Sequence, residues 1–199
     1  MNTIQTTLTT EAVFSDDGLN RYLLRKTWDP EKPKLTIIML APSAASGIEL
    51  DTTTQLTLNN AARLGYGSVS IVNLFATLND FSLTQAEDED PENMNAIIEA
   101  AKDADLIVYA PGIGKAKSKV FQQRQEQVLH ALQPYEDKLH CLCSVNGGGR
   151  LQHPLSPAIR IWGLSPLKIS ELMSTPIKKE AEPAQKKKGK LKEIKPEVQ

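Results

Sequence analysis

Four places in this chain carry residue types that can do chemistry. Asn73 closes an apolar run over residues 68–75. An amide at the end of a buried strand can donate and accept together, so it can read the edge of a base or orient a water. His153 is followed by Pro154, which stiffens the loop and fixes where the imidazole points. Such a histidine can donate to a developing negative charge or pass a proton. Glu49 and Asp51 are the carboxylates near the first loop, and either can serve as a base or a metal ligand. Gly112-Ile113-Gly114-Lys115 resembles a phosphate nest at a helix start, with Lys117, Lys119 and Arg124 further on. It lacks the spacing of a Walker A loop. Each place also has a plainer reading. Asn73 can bond the loop backbone, and His153 can be a surface histidine. Asp51 precedes three threonines and suits a helix cap. The lysines can form a solvated face. His130, late in a helix, and His140, on a strand, read as structural.

The elements that must position these residues follow an alternating order. Residues 11–29 read as a hairpin around Asp17-Gly18. A continuous apolar run at 35–40 suits a strand buried on both faces, and further strands are expected at 68–75, 105–110 and 138–144. Helical patterns lie between them at 52–64, 90–103 and 117–132, the second opening on Asp90-Pro91. Strands alternating with helices predict an α/β fold, a three-layer sandwich around a central, mainly parallel four-stranded sheet with an N-terminal β-hairpin. In such sheets ligands bind at the carboxyl ends of the strands. The loops expected there are Ala41 to Gly47 with Pro42 and Ser43, the Asn73-Leu74-Phe75 turn, Pro111 to Lys115, and the Gly147-Gly148-Gly149 stretch leading to His153.

Composition bounds the rest. The 199 residues are 40% hydrophobic and 24% charged, which is globular. No apolar run is long enough for a bilayer, and the first residues lack a basic start and an apolar core, so neither a membrane span nor a signal peptide is expected. Cys141 and Cys143 stand on one face of a strand and are expected to be reduced, in a cytoplasmic protein. Without further cysteines at zinc spacing they suggest core packing, and neither metal nor cofactor is expected. From residue 178 onward there are 8 lysines against 4 glutamates, which leaves −5 on the preceding chain. We expect a domain over residues 1–175 and a disordered lysine-rich tail over 176–199. The tail suits either non-specific phosphate contact or solubility.

Together the motifs resemble the uncharacterised DUF1643 family. They are residues 21–28 as a loose match to R-x-x-L-x-R-x-W, Met39-Leu40-Ala41-Pro42-Ser43-Ala44-Ala45, Asp51-Thr52-Thr53, Gly65-Tyr66-Gly67, Asn73-Leu74-Phe75-Ala76 and His153-Pro154-Leu155. The resemblance covers about residues 12 to 160. Ala41 stands where the family pattern has asparagine, and Pro111-Gly112-Ile113-Gly114 replaces a Trp-Gly turn. A more distant resemblance is to the uracil-DNA glycosylase superfamily, through the Asn73 strand end and His153-Pro154-Leu155-Ser156-Pro157. That likeness implies that Asn73 reads a base and His153 stabilises the leaving base anion. Phe75 would stack on the base, Ser43 and Pro42 would line the pocket, and Glu49 or Asp51 would have to supply the carboxylate. It implies DNA or a nucleotide as partner and a target base flipped out of its stack. Two other readings use the same loops: an enzyme for a nucleotide or phosphorylated metabolite held by Gly112, Gly114 and Lys115, and a non-catalytic nucleic-acid or protein binding module. The acidic body counts against extended duplex binding.

Overall fold

The computed structural model describes residues 1–43, 47–78, 91–112, 114, 118–144 and 151–173. The lysine-rich tail, the boundary expected near 175, the acidic stretch 79–90 and the glycine-rich stretch 145–150 lie outside them. Within the described residues the order is β1 (Thr9–Phe14), β2 (Arg21–Thr27), β3 (Lys34–Met39), α1 (Thr52–Arg63), β4 (Ser68–Asn73), α2 (Pro91–Asp103), β5 (Leu106–Tyr109), α3 (Lys119–Ala131), β6 (Leu139–Ser144), β7 (Trp162–Pro166) and α4 (Ile169–Met173). Short 3-10 helices occupy Gln133–Lys138 and Pro157–Ile159.

These strands form one mixed seven-stranded sheet in the order β1-β2-β4-β3-β5-β6-β7. The expectation of four strands is therefore corrected. The four expected strands do pair in parallel as β4-β3-β5-β6. The hairpin is not a separate appendage, because β2 pairs antiparallel with β4 and extends the sheet. At the other side β7 pairs antiparallel with β6, and no strand was expected there. Its sequence, Trp-Gly-Leu-Ser-Pro, carries a glycine and a proline, which read as punctuation rather than strand. A proline at the end of an edge strand removes no inner ladder bond, so the segment still pairs.

Strand alternation divides the apolar residues between two faces. Ile38, Val72, Ile107, Tyr109, Leu139 and Cys141 pack with Ile97 and Ala101 of α2 and Phe121 and Val128 of α3. Leu35, Ile37, Val69, Ile71, Val108 and Leu142 pack with Ala61 of α1, Ile159 and Trp162. The result is helices on both faces of the sheet, with Cys141 in the core and both cysteines free.

Two polar devices fix the helices. Asn60 of α1 is buried and bonds both ways: its Nδ2 donates to the Arg160 carbonyl at 3.1 Å, and its Oδ1 accepts from the Trp162 N–H at 2.9 Å. Arg63 donates to the Trp162 carbonyl at 2.9 Å. These bonds hold the start of β7 against α1. The Gly65-Tyr66-Gly67 turn that ends α1 needs its second glycine, since a Cβ at Gly67 would lie 1.9 Å from the Asp29 carbonyl oxygen.

Asn60→Ala leaves the buried Trp162 N–H without its acceptor. It should cost about 2–3 kcal/mol, from that unmet donor and the lost Arg160 bond. Urea denaturation followed by circular dichroism reads this directly, and a loss under ~0.5 kcal/mol would contradict the latch.

Candidate functional site

The carboxyl ends of β3, β4, β5 and β6 open on one edge of the sheet, and the antiparallel β2 brings its first residue, Arg21, to the same edge. The Arg21 N–H donates to the Ala76 carbonyl at 2.9 Å, just past the end of β4. Its guanidinium is nearly fully buried, and Nη1 donates to the Ser43 carbonyl at 3.1 Å in the loop after β3.

Asp51 lies beside this edge, through its bond to Ser43. It is the N-cap of α1, with Oδ1 accepting from the Thr54 N–H at 2.7 Å. Its carboxylate also takes a hydrogen bond from the Ser43 side chain. Burial acts to raise its pKa, but the bonds from Ser43 and Thr54 and the charge of Arg21 outweigh this and hold it below the ordinary aspartate value. Arg21 is drawn down to about 10 by burial, with Asp51 working against the shift, so it keeps its charge at neutral pH. The cap reading of Asp51 holds, and the same carboxylate interacts with Ser43 and Arg21.

His153 is the third member. Its pKa lies below the usual 6.5, chiefly through burial and partly restored by Asp51. It is therefore neutral at pH 7. Its Nδ1 accepts from the Leu155 N–H at 3.2 Å, which leaves the ring proton on Nε2 as a donor. Gly112, after β5, comes close beside it: a Cβ there would sit 3.3 Å from the His153 Cβ. Gly112 also has φ +79°, a left-handed conformation that favours glycine. Gly114 is exposed with open space around it.

Asn73 ends β4, opposite Met39 of β3. Alternation puts its side chain on the α1 face, with Val69 and Ile71. The residue is 1% exposed, yet neither Oδ1 nor Nδ2 has a hydrogen-bond partner. Its backbone is held firmly. The Asn93 amide donates to the carbonyls of Asn73 (3.2 Å) and Leu74 (3.1 Å), and the Arg124 Nε donates to the Leu74 carbonyl at 2.7 Å. The plainer reading of Asn73, bonding the loop backbone through its amide, does not hold here. One strand, β3, lies between β4 and β5, so the backbones of Asn73 and the Gly112 turn are separated by about 9–10 Å.

The other expected residues divide. Pro42 is buried and Ser43 half-buried at the edge. Phe75 lies in the core with α2 and α3, and its N–H donates to the Leu40 carbonyl at 3.0 Å. Glu49 is exposed and Asp51 half-buried. Lys115 and Lys117 lie outside the described residues. Lys119 is exposed at the first position of α3, whose cap is Ser118. Arg124 is not part of a basic face, since it is buried and turned to the Leu74 carbonyl. His130 is in the last turn of α3, and the His140 Nδ1 is 3.0 Å from the Lys138 carbonyl. Among the described residues no three His, Cys, Asp or Glu side chains come together as a metal site, and no helix is long and apolar enough to cross a membrane. Sequence reasoning missed Arg21 as a member of the site. Its signal was its place as the opening arginine of the R-x-x-L-x-R-x-W match, at the head of the hairpin's second strand.

The fold and site define an α/β protein whose candidate residues gather in loops at the carboxyl ends of parallel strands. The chain belongs to the DUF1643 family, proteins of unknown function, whose model matches residues 21–155. No curated protein matches the chain. The matched span begins at Arg21 and ends two residues past His153, so it encloses every member of the site described above.

Two outcomes follow. Asn73→Leu removes an unbonded buried amide at similar volume, and it should raise stability by about 1–2 kcal/mol in urea denaturation. A loss of stability would mean the amide is satisfied. The folded-state pKa of His153 lies below its unfolded value. Its contribution is therefore complete above about 6.5 and declines as pH falls toward the folded value. His153→Gln should flatten that part of a stability–pH curve, and an unchanged slope would contradict the neutral, half-buried histidine.

Proposed function

We propose that this edge is a nucleobase pocket and that the protein is a nucleobase-directed N-glycosidic hydrolase. The observation that carries the reading is the Asn73 amide, buried with both polar atoms unbonded. Leaving such a group unmet costs about 1–3 kcal/mol, which a ligand offering an adjacent donor and acceptor would offset. The edge of a nucleobase has that pattern.

The neighbouring groups suit the reaction. The neutral His153 presents Nε2–H, which can donate to a base as it leaves with the glycosidic electron pair. Asp51, held ionised, can orient a water toward the sugar carbon and take its proton. The new bond is water oxygen to sugar carbon and the broken one is sugar carbon to base nitrogen, whose electron pair leaves with the base; the proton taken by Asp51 then passes to the released base, which restores the carboxylate. The likeness of the His153 loop to the uracil-DNA glycosylase superfamily supports the same assignment and the corresponding fold. Phe75 lies in the core, which favours the Pro42 and Ser43 loop over Phe75 as the wall against the base. DNA or a nucleoside is the proposed source of the base, and Gly112, Gly114 and Lys115 the proposed place of its phosphate or sugar.

Release of free base from single-stranded oligonucleotides and nucleosides, read by chromatography, tests this. Asn73→Ala and His153→Ala should each lower release by about 10²–10³-fold. Base binding without release in the wild type would reduce the reading to a base-binding protein. Neither binding nor release of any base would overturn it.

A further inference from the structure

Strand β2 buries a second cation besides Arg21. Lys26 is 1% exposed and stands two residues from the core residue Leu24, on the α1 face of the sheet. A buried ammonium is costly unless its protons are bonded. The Lys26 Nζ donates to the Thr10 hydroxyl at 2.9 Å, directly across the ladder on β1, and to the Gly47 carbonyl in the loop between β3 and α1. Neither acceptor is a carboxylate.

The loop gives this contact its weight. Gly47, Ile48, Glu49 and Leu50 are all exposed, so packing does little to hold the segment that leads into Asp51. Among the described residues, the bond from Lys26 is what ties that segment to the sheet. Asp51 follows Gly47 by four residues, which is roughly 13–14 Å of extended chain at most. The next hold upstream among the described residues is the Ser43 carbonyl, which accepts from Arg21. It precedes Asp51 by eight residues, roughly 26–29 Å of chain. Loss of the Lys26 bond therefore doubles the length of chain between Asp51 and its nearest upstream anchor.

We propose that Lys26 is a positioning residue of this site: it anchors the Gly47 carbonyl to the β1–β2 hairpin and so fixes where Asp51 enters α1. The hairpin then does more than widen the sheet. It grips the loop after β3 at two carbonyls, Ser43 through Arg21 and Gly47 through Lys26. The inference rests on the reading of Asp51 as the carboxylate of the site. It does not depend on which bond the site breaks.

The test is native-state hydrogen exchange followed by NMR on the full chain, for wild type, Lys26→Met, Lys26→Arg and Thr10→Val. The reporter is the Thr54 N–H, which donates to the Asp51 Oδ1 at 2.7 Å. Amides of β3 and β5 serve as references for the sheet. Methionine is unbranched and apolar, so it fills the space of the lysine stem without its donors. Lys26→Met should speed Thr54 exchange by about tenfold or more and leave the references unchanged. Lys26→Arg, which keeps a buried donor, should recover most of the protection. If Lys26→Met does not fold, Thr10→Val carries the comparison, since it removes one of the two acceptors on an exposed strand. It should speed Thr54 by about twofold or more. An unmoved Thr54 in the variant that carries the comparison would overturn the proposal. Equal acceleration of the references would also overturn it, by marking a general loss of structure. So would acceleration that Lys26→Arg does not reverse, by marking lost packing rather than lost bonds. The exchange needs no substrate. Failure to release base would sink the hydrolase reading while leaving the anchor standing, and an unmoved Thr54 would remove the anchor while leaving base release to its own assay.

Discussion

The Asp51 carboxylate holds the site together because it satisfies three demands at one point. It closes the first turn of α1, receives the Ser43 side chain, and acts electrostatically on both Arg21 and His153. A capping bond is worth about 1 kcal/mol to the helix. Here the same bond fixes a carboxylate at the mouth of the parallel strands. The helix in turn is anchored through Asn60 and Arg63 to the start of β7. Displacing α1 would therefore move the carboxylate, the Ser43 loop and the segment that follows His153.

Opposite this charged group the end of β4 is held by its main chain. Asn93 and Arg124, both buried, direct their donors at the carbonyls of Asn73 and Leu74. Two buried polar side chains from α2 and α3 thus stiffen a strand end whose own side chain has no partner. Structures rarely leave both atoms of a buried amide unmet. Rigid backbone support around an unsatisfied group is the arrangement expected of a pre-organised recognition site.

Much of the fold was legible because it rests on local pattern. The four expected strands became the parallel strands, and Asp90-Pro91 preceded a helix that begins at Pro91. The sheet's width was not legible. Whether a hairpin joins a sheet depends on which strand meets its edge, and the pairing of β2 with β4 spans over forty residues of chain, Leu24 with Ile71. The edge strand β7 was hidden by Gly163 and Pro166. Asn73, His153 and Asp51 were legible as candidates by type and loop position, and of these Asp51 and His153 interact electrostatically. Arg124 was misread because a lone arginine on a helix gives no sign of which way it turns, and Arg21, quoted only within the hairpin motif, was not singled out. Phe75 shows the limit of alternation at a strand end, where the chain bends and packs the ring into the core.

The most direct measurement is a ligand-bound structure of the protein with a nucleobase. The account predicts density for the ring with its edge paired to the Asn73 amide, between that side chain and His153 Nε2. An empty pocket with the Asn73 amide bonded to ordered water or to neighbouring backbone would contradict it.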